Sequence, residues 1–260
     1  LIKFLNLQLK LYSQEDVYNT AALYGSTVLQ MCQKPHGLWH LKKSMQSLSE
    51  ALENSLHKTG ANIIFGQKVD SIVSDNLNKC WKVFAKSKKC VFEYSANDLI
   101  YTAPPQSLLE HLNEPLSKNP IYKNRLNNLP KPSGALVFYS ALKVEHLKSV
   151  SSNHYQFISH ELGSLFVSLS EDGDGRAPKG EITLIASLFT QVEDWIDLGK
   201  DAYLEKKNNY LKKISFELES QFDIDSQNWL HKELATPLGF ERWTNRPNGI
   251  VGGLGQNPDI

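Results

Sequence analysis

Cysteine is scarce in this sequence, charge of one sign is not in excess, and no long apolar run occurs. The three cysteines among 260 residues, Cys32, Cys80 and Cys90, are too few and odd in number for a disulfide framework, and no CxxC pair occurs. A reducing, cytoplasmic compartment is the default expectation. The 28 Lys+Arg balance the 28 Asp+Glu, so the basic surplus that phosphate backbones demand is missing, and nucleic acid is not the expected partner. No 18 uninterrupted apolar residues occur, which argues against a membrane-spanning helix. The chain begins Leu-Ile-Lys, without initiator or signal peptide, and its last residues show no element ending. It reads as a fragment of a longer protein.

What is present is an ordinary globular composition, 41% apolar and 22% charged. Residues 1–32 read as helical, up to a break at Pro35-His36-Gly37. A second helix is capped by Ser44, carries Met45, Leu48, Leu52 and Leu56 on one stripe, and stops at Gly60. Strands are expected at 61–65, 69–73, 80–85, 90–94 and 98–102, the last stopped by Pro104-Pro105. Pairing Ala85 with Cys90 makes 80–85 and 90–94 a hairpin, with Val83 opposite Phe92, Trp81 opposite Tyr94 and Lys82 opposite Glu93. After a polar stretch at 113–133 come strands at 135–142, 155–159, 165–170 and 181–189. A helix follows at about 201–222, with Leu204, Leu211, Ile214, Leu218 and Phe222 on its stripe. Short connections favour antiparallel neighbours, so 135–142, 165–170 and 181–189 are expected to share one sheet backed by that helix. The fold class is α+β, with a mixed or antiparallel sheet domain.

No motif advertises chemistry. HExxH, GxSxG, a P-loop and GxGxxG are all absent. His36 and His40 are four apart, but Pro35 and Gly37 spoil a helical pair, and no metal site is expected. Cys32 reads as a core residue. Asp172-Gly173-Asp174-Gly175 lacks the further ligands of a calcium loop and reads as a solvated turn. The glycines at 249, 252, 253 and 255 either let backbone approach backbone or a ligand closely, or belong to an unanchored loop.

The order of segments carries more. The run Gly37-Leu38-Trp39-His40-Leu41 through Leu52 resembles the helix start of FAD-dependent carotenoid desaturases and isomerases, relatives of phytoene dehydrogenase in the flavin amine oxidase superfamily. Gly60-Ala61-Asn62-Ile63-Ile64-Phe65 with Val69-Asp70-Ser71-Ile72, then Tyr101-Thr102-Ala103-Pro104-Pro105, Ala177-Pro178-Lys179-Gly180 and Thr236-Pro237, fall in that family's order. The wording Gly-Leu-Trp-His-Leu is similar to carotenoid 3,4-desaturase-like members. The family's amino-terminal dinucleotide motif and carboxy-terminal segment over the flavin are not found.

The resemblance implies a flavoprotein oxidoreductase of carotenoid biosynthesis that desaturates its substrate by hydride transfer to FAD. Alternatives within the superfamily are a carotenoid cis–trans isomerase and a flavin amine oxidase; a further one is a non-redox prenyl-lipid-binding chaperone of the same fold. It implies that residues 36–104 belong to the FAD-binding domain, that 1–35 and 106–245 form the substrate-binding cap, and that 246–260 return toward the FAD domain. Val69 would meet the cofactor through its backbone, with Ala103 and Pro104 nearby. With both phosphate-binding ends missing, this chain alone is expected to bind FAD weakly or not at all. Tyr139, Tyr155 and Phe157 are the candidate substrate-binding residues, with Phe166, Phe189 and Trp195 as further tunnel aromatics; no catalytic residue is assigned. The implied partner is a carotenoid or another apolar polyene, met at a membrane surface through a peripheral contact, for which Leu1–Leu11 is the candidate.

Overall fold

The computed structural model describes residues 1–31, 33, 37, 39, 41–130, 132–148 and 150–258. Cys32, Pro35, His36, Leu38 and His40, on which parts of the sequence reading rest, lie outside the described residues. The helices are α1 (Ile2–Ser13), α2 (Ala22–Met31), α3 (Gln46–Lys58), α4 (Pro105–His111), α5 (Pro120–Asn127), α6 (Lys200–Phe222) and α7 (Pro237–Thr244). The strands are β1 (Lys68–Asp75), β2 (Cys80–Ser87), β3 (Cys90–Ala96), β4 (Gly134–Lys143), β5 (His154–Ser159), β6 (Gly163–Leu169), β7 (Glu181–Thr190) and β8 (Trp229–Ala235). The fold is α+β, and its two compact units are 1–49 with 130–260, and 50–129.

The larger unit is built on one five-stranded sheet in the order β5-β6-β7-β4-β8, antiparallel throughout. The strands alternate strictly, so one face collects Leu136, Phe138 and Leu142 from β4, Ile182, Leu184, Ala186 and Leu188 from β7, and Leu165, Val167 and Leu169 from β6. Against it lie Ile214, Leu218 and Phe222 of α6, all buried. The one polar side chain in this face of β4, Ser140, donates its hydroxyl to the Leu184 carbonyl at 2.7 Å, so its burial leaves nothing unsatisfied. Trp195 is fully buried, donates Nε1 to Thr190 Oγ1 at 2.9 Å, and carries the Lys206 ammonium 4.9 Å from its ring centre. The three strands expected to share a sheet do so, and α6 backs them. Leu204, read as part of the stripe, is instead 42% exposed, while its neighbour Tyr203 packs against the core.

Residues 1–32 form two helices rather than one. Gln14 takes a left-handed conformation that ends α1, and the Asn6 side chain accepts from the Val17 amide at 2.8 Å, folding the chain back. Leu9 is buried where Gly25 leaves room: a Cβ there would stand 3.3 Å from the leucine's Cδ2. β8 and α7 were not legible in advance. β8 reads Trp-Leu-His-Lys-Glu-Leu-Ala, an edge strand with Leu234 its one buried residue, and polar side chains hide its alternation.

The smaller unit holds the antiparallel sheet β1-β2-β3. The hairpin forms with a tighter turn than expected: Ser87 pairs with Cys90, Ala85 with Phe92 and Val83 with Tyr94. The register is shifted by two residues, which preserves the faces. Lys82 therefore reaches Glu93 diagonally, at 3.5 Å, and Asp75 at the same distance. The Glu93 charge, more than Asp75, holds the lysine above its ordinary pKa. Cys80 and Cys90 are free thiols. Residues 61–65 and 98–102, expected as strands, join no ladder among the described residues. The polar stretch at 113–133 contains α5, capped by the Asn119 side chain, which accepts from the Ile121 and Tyr122 amides. α4 is tied to β1 by the parallel bridge Ile72–Leu112 and the bond from the Asn113 amide to the Ile72 carbonyl.

α3 forms as read. Ser44 Oγ accepts from the Gln46 amide, and Gly60, at φ 80°, closes the helix while its N–H and that of Ala61 return to the His57 and Leu56 carbonyls. None of its residues is buried. The compact units divide the chain at 49/50 and 129/130; the resemblance implies divisions at 35/36 and between 104 and 106, with 246–260 apart. Residues 246–256 lie with the larger unit, where the Gly252 amide donates to Ser133 O and the Gln256 amide to Ser13 O.

Candidate functional site

The second face of the five-stranded sheet is the candidate site. Its side chains fall in rows across the strands. Ala135 of β4 faces Phe189 of β7. The next row runs Ala235, Val137, Ser187, Phe166 and Gln156; the third runs Glu233, Tyr139, Ile185, Ser168 and His154. Rows are two residues apart, about 7 Å. The centre of this floor is made of alanine, serine and valine, and none of its β4 and β7 members is buried. Small residues flanked by aromatics leave a shallow apolar trough.

α1 roofs the first two rows. Gln8 of α1 is hydrogen-bonded to Gln156, and Ser133 Oγ donates to Gln14 Oε1 at 2.6 Å. Between them lies a cavity of about 200 Å³, with Leu7, Leu11, Ala135, Phe166, Phe189 and Val251 among its lining residues. The tail closes one end. A Cβ on Gly252 would stand 2.5 Å from Ser133 Oγ, so the glycine permits this close approach. Of the two readings of the glycine-rich tail, close backbone approach is the one observed.

The candidate residues separate. Tyr139 is in the third row of the open face, 38% exposed. Burial, and then the Glu233 carboxylate directly across from it, push its phenol above the ordinary pKa. Phe166 and Phe189 line the cavity, and Phe166 stacks on His154 with ring centres 5.7 Å apart. Tyr155 and Phe157 lie on the opposite, helix-covered face. Phe222 of α6 meets them edge-on at 5.2 and 5.6 Å. The Tyr155 hydroxyl accepts from the Ser151 and Ser152 amides. Desolvation raises its pKa, but these bonds together outweigh it and leave the phenol below its ordinary value. Trp195 also sits on the core side.

In the smaller unit, Val69 pairs with Ala85 beside a bulge at Asp70 and is 36% exposed. Pro104 caps α4, with Ala103 exposed before it. No group of metal-ligating side chains occurs among the described residues. The acidic turn is satisfied internally: Asp172 accepts from the Gly180 amide, and Asp174 from the Glu171 and Arg176 amides. Arg176, half-wrapped by this turn, donates to the Leu41 and Lys43 carbonyls at 2.7 and 2.8 Å. Sequence reasoning missed Glu233 and His231, because β8 was not recognised. It also missed Ser187, which lies on the open face of β7 opposite Val137.

No protein-family profile matches this sequence, and no curated protein is significantly similar to it. Solved structures do match. An oxidoreductase from Methanosarcina mazei superimposes with a TM-score of 0.63 at 15% identity, over 90% of this chain and 52% of that one. A Rab GDI from Plasmodium falciparum gives a TM-score of 0.32 at 16% identity, over 65% of this chain and 31% of that one, too low to carry an argument. The chain thus spans about half the length of the Methanosarcina mazei protein, and over that half the two share an α+β fold.

Proposed function

We propose that this chain is the substrate-holding part of an FAD-dependent oxidoreductase that desaturates a carotenoid or a similar long polyene. The observation that carries the reading is the open sheet face: a floor of small and apolar residues, sheltered at one end by α1 and flanked by Phe166 and Phe189. A flat, elongated hydrocarbon suits such a trough, because contact area without directional bonds is what it offers. The likeness to an oxidoreductase supports a redox role.

The residues present do not fit the phosphates of FAD. Dinucleotide pyrophosphates are held where a parallel strand turns through glycines into a helix. Both sheets here are antiparallel, and none of the described helices starts from a glycine-rich turn of that kind. No chemical step through the flavin is therefore derived from this chain. Its own contribution is to keep the polyene extended and to exclude water from the rows beneath α1. No helix among the described residues is long and apolar enough to cross a membrane. Peripheral contact belongs to the proposal through the exposed Leu1, Ile2 and Phe4 of α1.

The test is to offer the intact protein, supplied with FAD, a polyene hydrocarbon and to follow its visible spectrum. Desaturation lengthens the conjugated system and moves its absorption to the red. An unchanged polyene under conditions where the flavin is bound would refute the reading.

A further inference from the structure

A sheet edge presents a row of unpaired backbone amides and carbonyls, which invites a further strand. Three of the four edges in this protein are met or guarded. α4 bridges to β1 at Ile72–Leu112, and α1 meets β5, where Gln8 is bonded to Gln156. β8 turns Lys232 toward α6, 4.0 Å from Glu219, a charge that an added strand would have to strip of water. β3 has no such guard among the described residues. It contains no proline, six of its seven residues are exposed, and it pairs with β2 alone. Its one charge, Glu93, is already drawn to Lys82 at 3.5 Å. The two-residue turn Lys88-Lys89 makes Ser87 and Cys90 exchange backbone bonds. Alternation then points the amides and carbonyls of Phe92 and Tyr94 at β2, and those of Val91, Glu93 and Ser95 outward.

We infer that this edge is an interface between two copies of the chain, in which β3 pairs antiparallel with β3 of the second copy about a two-fold axis at Phe92. The edge is complementary to itself in this register. Val91 of each copy comes opposite Glu93 of the other, and each such pair exchanges both its backbone bonds through the outward groups. Phe92, 36% exposed, meets its own counterpart in the closely spaced, non-bonded pair, with Cα atoms about 4.5 Å apart. Phe92 already stacks on Tyr94, with ring centres 6.5 Å apart, so pairing joins the rings of the two copies into one row. The charges agree as well. The turn lysines Lys88 and Lys89, which have no ion-pair partner among the described residues, come beside Glu93 and Asp98 of the other copy. An axis at Glu93 would instead set two carboxylates face to face. Seven residues a side form a small interface, so the dimer is weak and reversible. The opposite edge, β1, is held by α4, so growth stops at two.

The experiment is sedimentation equilibrium of the protein between about 1 μM and about 1 mM. The mean mass should rise from one chain to two, and no further. Val91→Pro removes only an outward amide, which an edge strand tolerates, so the folded variant should keep its hairpin and stay monomeric throughout. In a Cys90→Ser background, Phe92→Cys should form an intermolecular disulfide in air, because the axis brings the two sulfurs within bonding reach. Tyr94→Cys, about 14 Å from its counterpart along the strands, should not. A single-chain mass over the whole range, growth beyond two chains, an association that Val91→Pro leaves intact, or equal linking of the two cysteine variants overturns the interface.

Discussion

Replacing Phe222 by alanine tests the division of the sheet into a structural face and a ligand face. The ring is 3% exposed, at the carboxy end of α6, and two aromatic neighbours meet it edge-on at 5.2 and 5.6 Å. Deleting a buried phenylalanine costs about 3–5 kcal/mol through lost transfer energy and the cavity left behind. Each edge-on ring pair adds about 0.5–1.5 kcal/mol beyond its buried area. Tyr155 and Phe157 are strand residues and cannot move far to fill the gap, so the loss falls in the upper half of that range, about 4 kcal/mol. Against a typical stability of about 5–15 kcal/mol this is severe. Phe222→Leu, which keeps most of the volume but loses both ring pairs, should cost about half as much. Urea unfolding monitored by circular dichroism measures both. A loss below about 1 kcal/mol in the alanine variant, or impaired polyene binding at full stability, would show that Tyr155 and Phe157 face a ligand instead of the core.

Three further outcomes are expected. Arg176→Ala removes both bonds to the 41–43 backbone, so amides of residues 41–49 should exchange faster while β4 and β7 keep their protection; unchanged exchange would refute the clamp. Gly249→Ala would place a Cβ 1.8 Å from the Pro237 carbonyl oxygen at φ 68°. It should cost about 2 kcal/mol or more and make residues 249–256 protease-sensitive; wild-type resistance would contradict that packing. Ile2→Asp with Phe4→Asp, both on the exposed amino end of α1, should abolish flotation with anionic vesicles without unfolding; if the double variant floats like its parent, this end is not the membrane contact.

What the sequence disclosed follows from how strongly each element is patterned. β4, β6, β7 and α6 carry strict periodicity because each buries one face in the same core, and their residues could be read to within one or two positions. β8 and α5 carry little apolar signal, since an edge strand and a surface helix bury one residue each. The 61–65 segment shows the converse: Ile63, Ile64 and Phe65 suggest a strand, yet pairing partners decide, and among the described residues it has none. The site was half legible. Alternation in β4 and β7 names two faces but not which is covered, so Tyr139 and Tyr155 looked equivalent until α6 was seen to lie over one of them. The cluster around Glu233 depends on β8 pairing with β4, a long-range fact that no local pattern encodes.

The most direct test of the central claim is to fill the trough from its floor. Ser187 sits between Val137 and Phe166 on the open face and lines the cavity under α1. A tryptophan there projects into the space assigned to the polyene and away from the core. Ser187→Trp is expected to leave the urea midpoint unchanged and to weaken binding of a hydrocarbon polyene by about tenfold or more. Undiminished affinity in a folded Ser187→Trp protein would contradict the assignment of this face to the substrate.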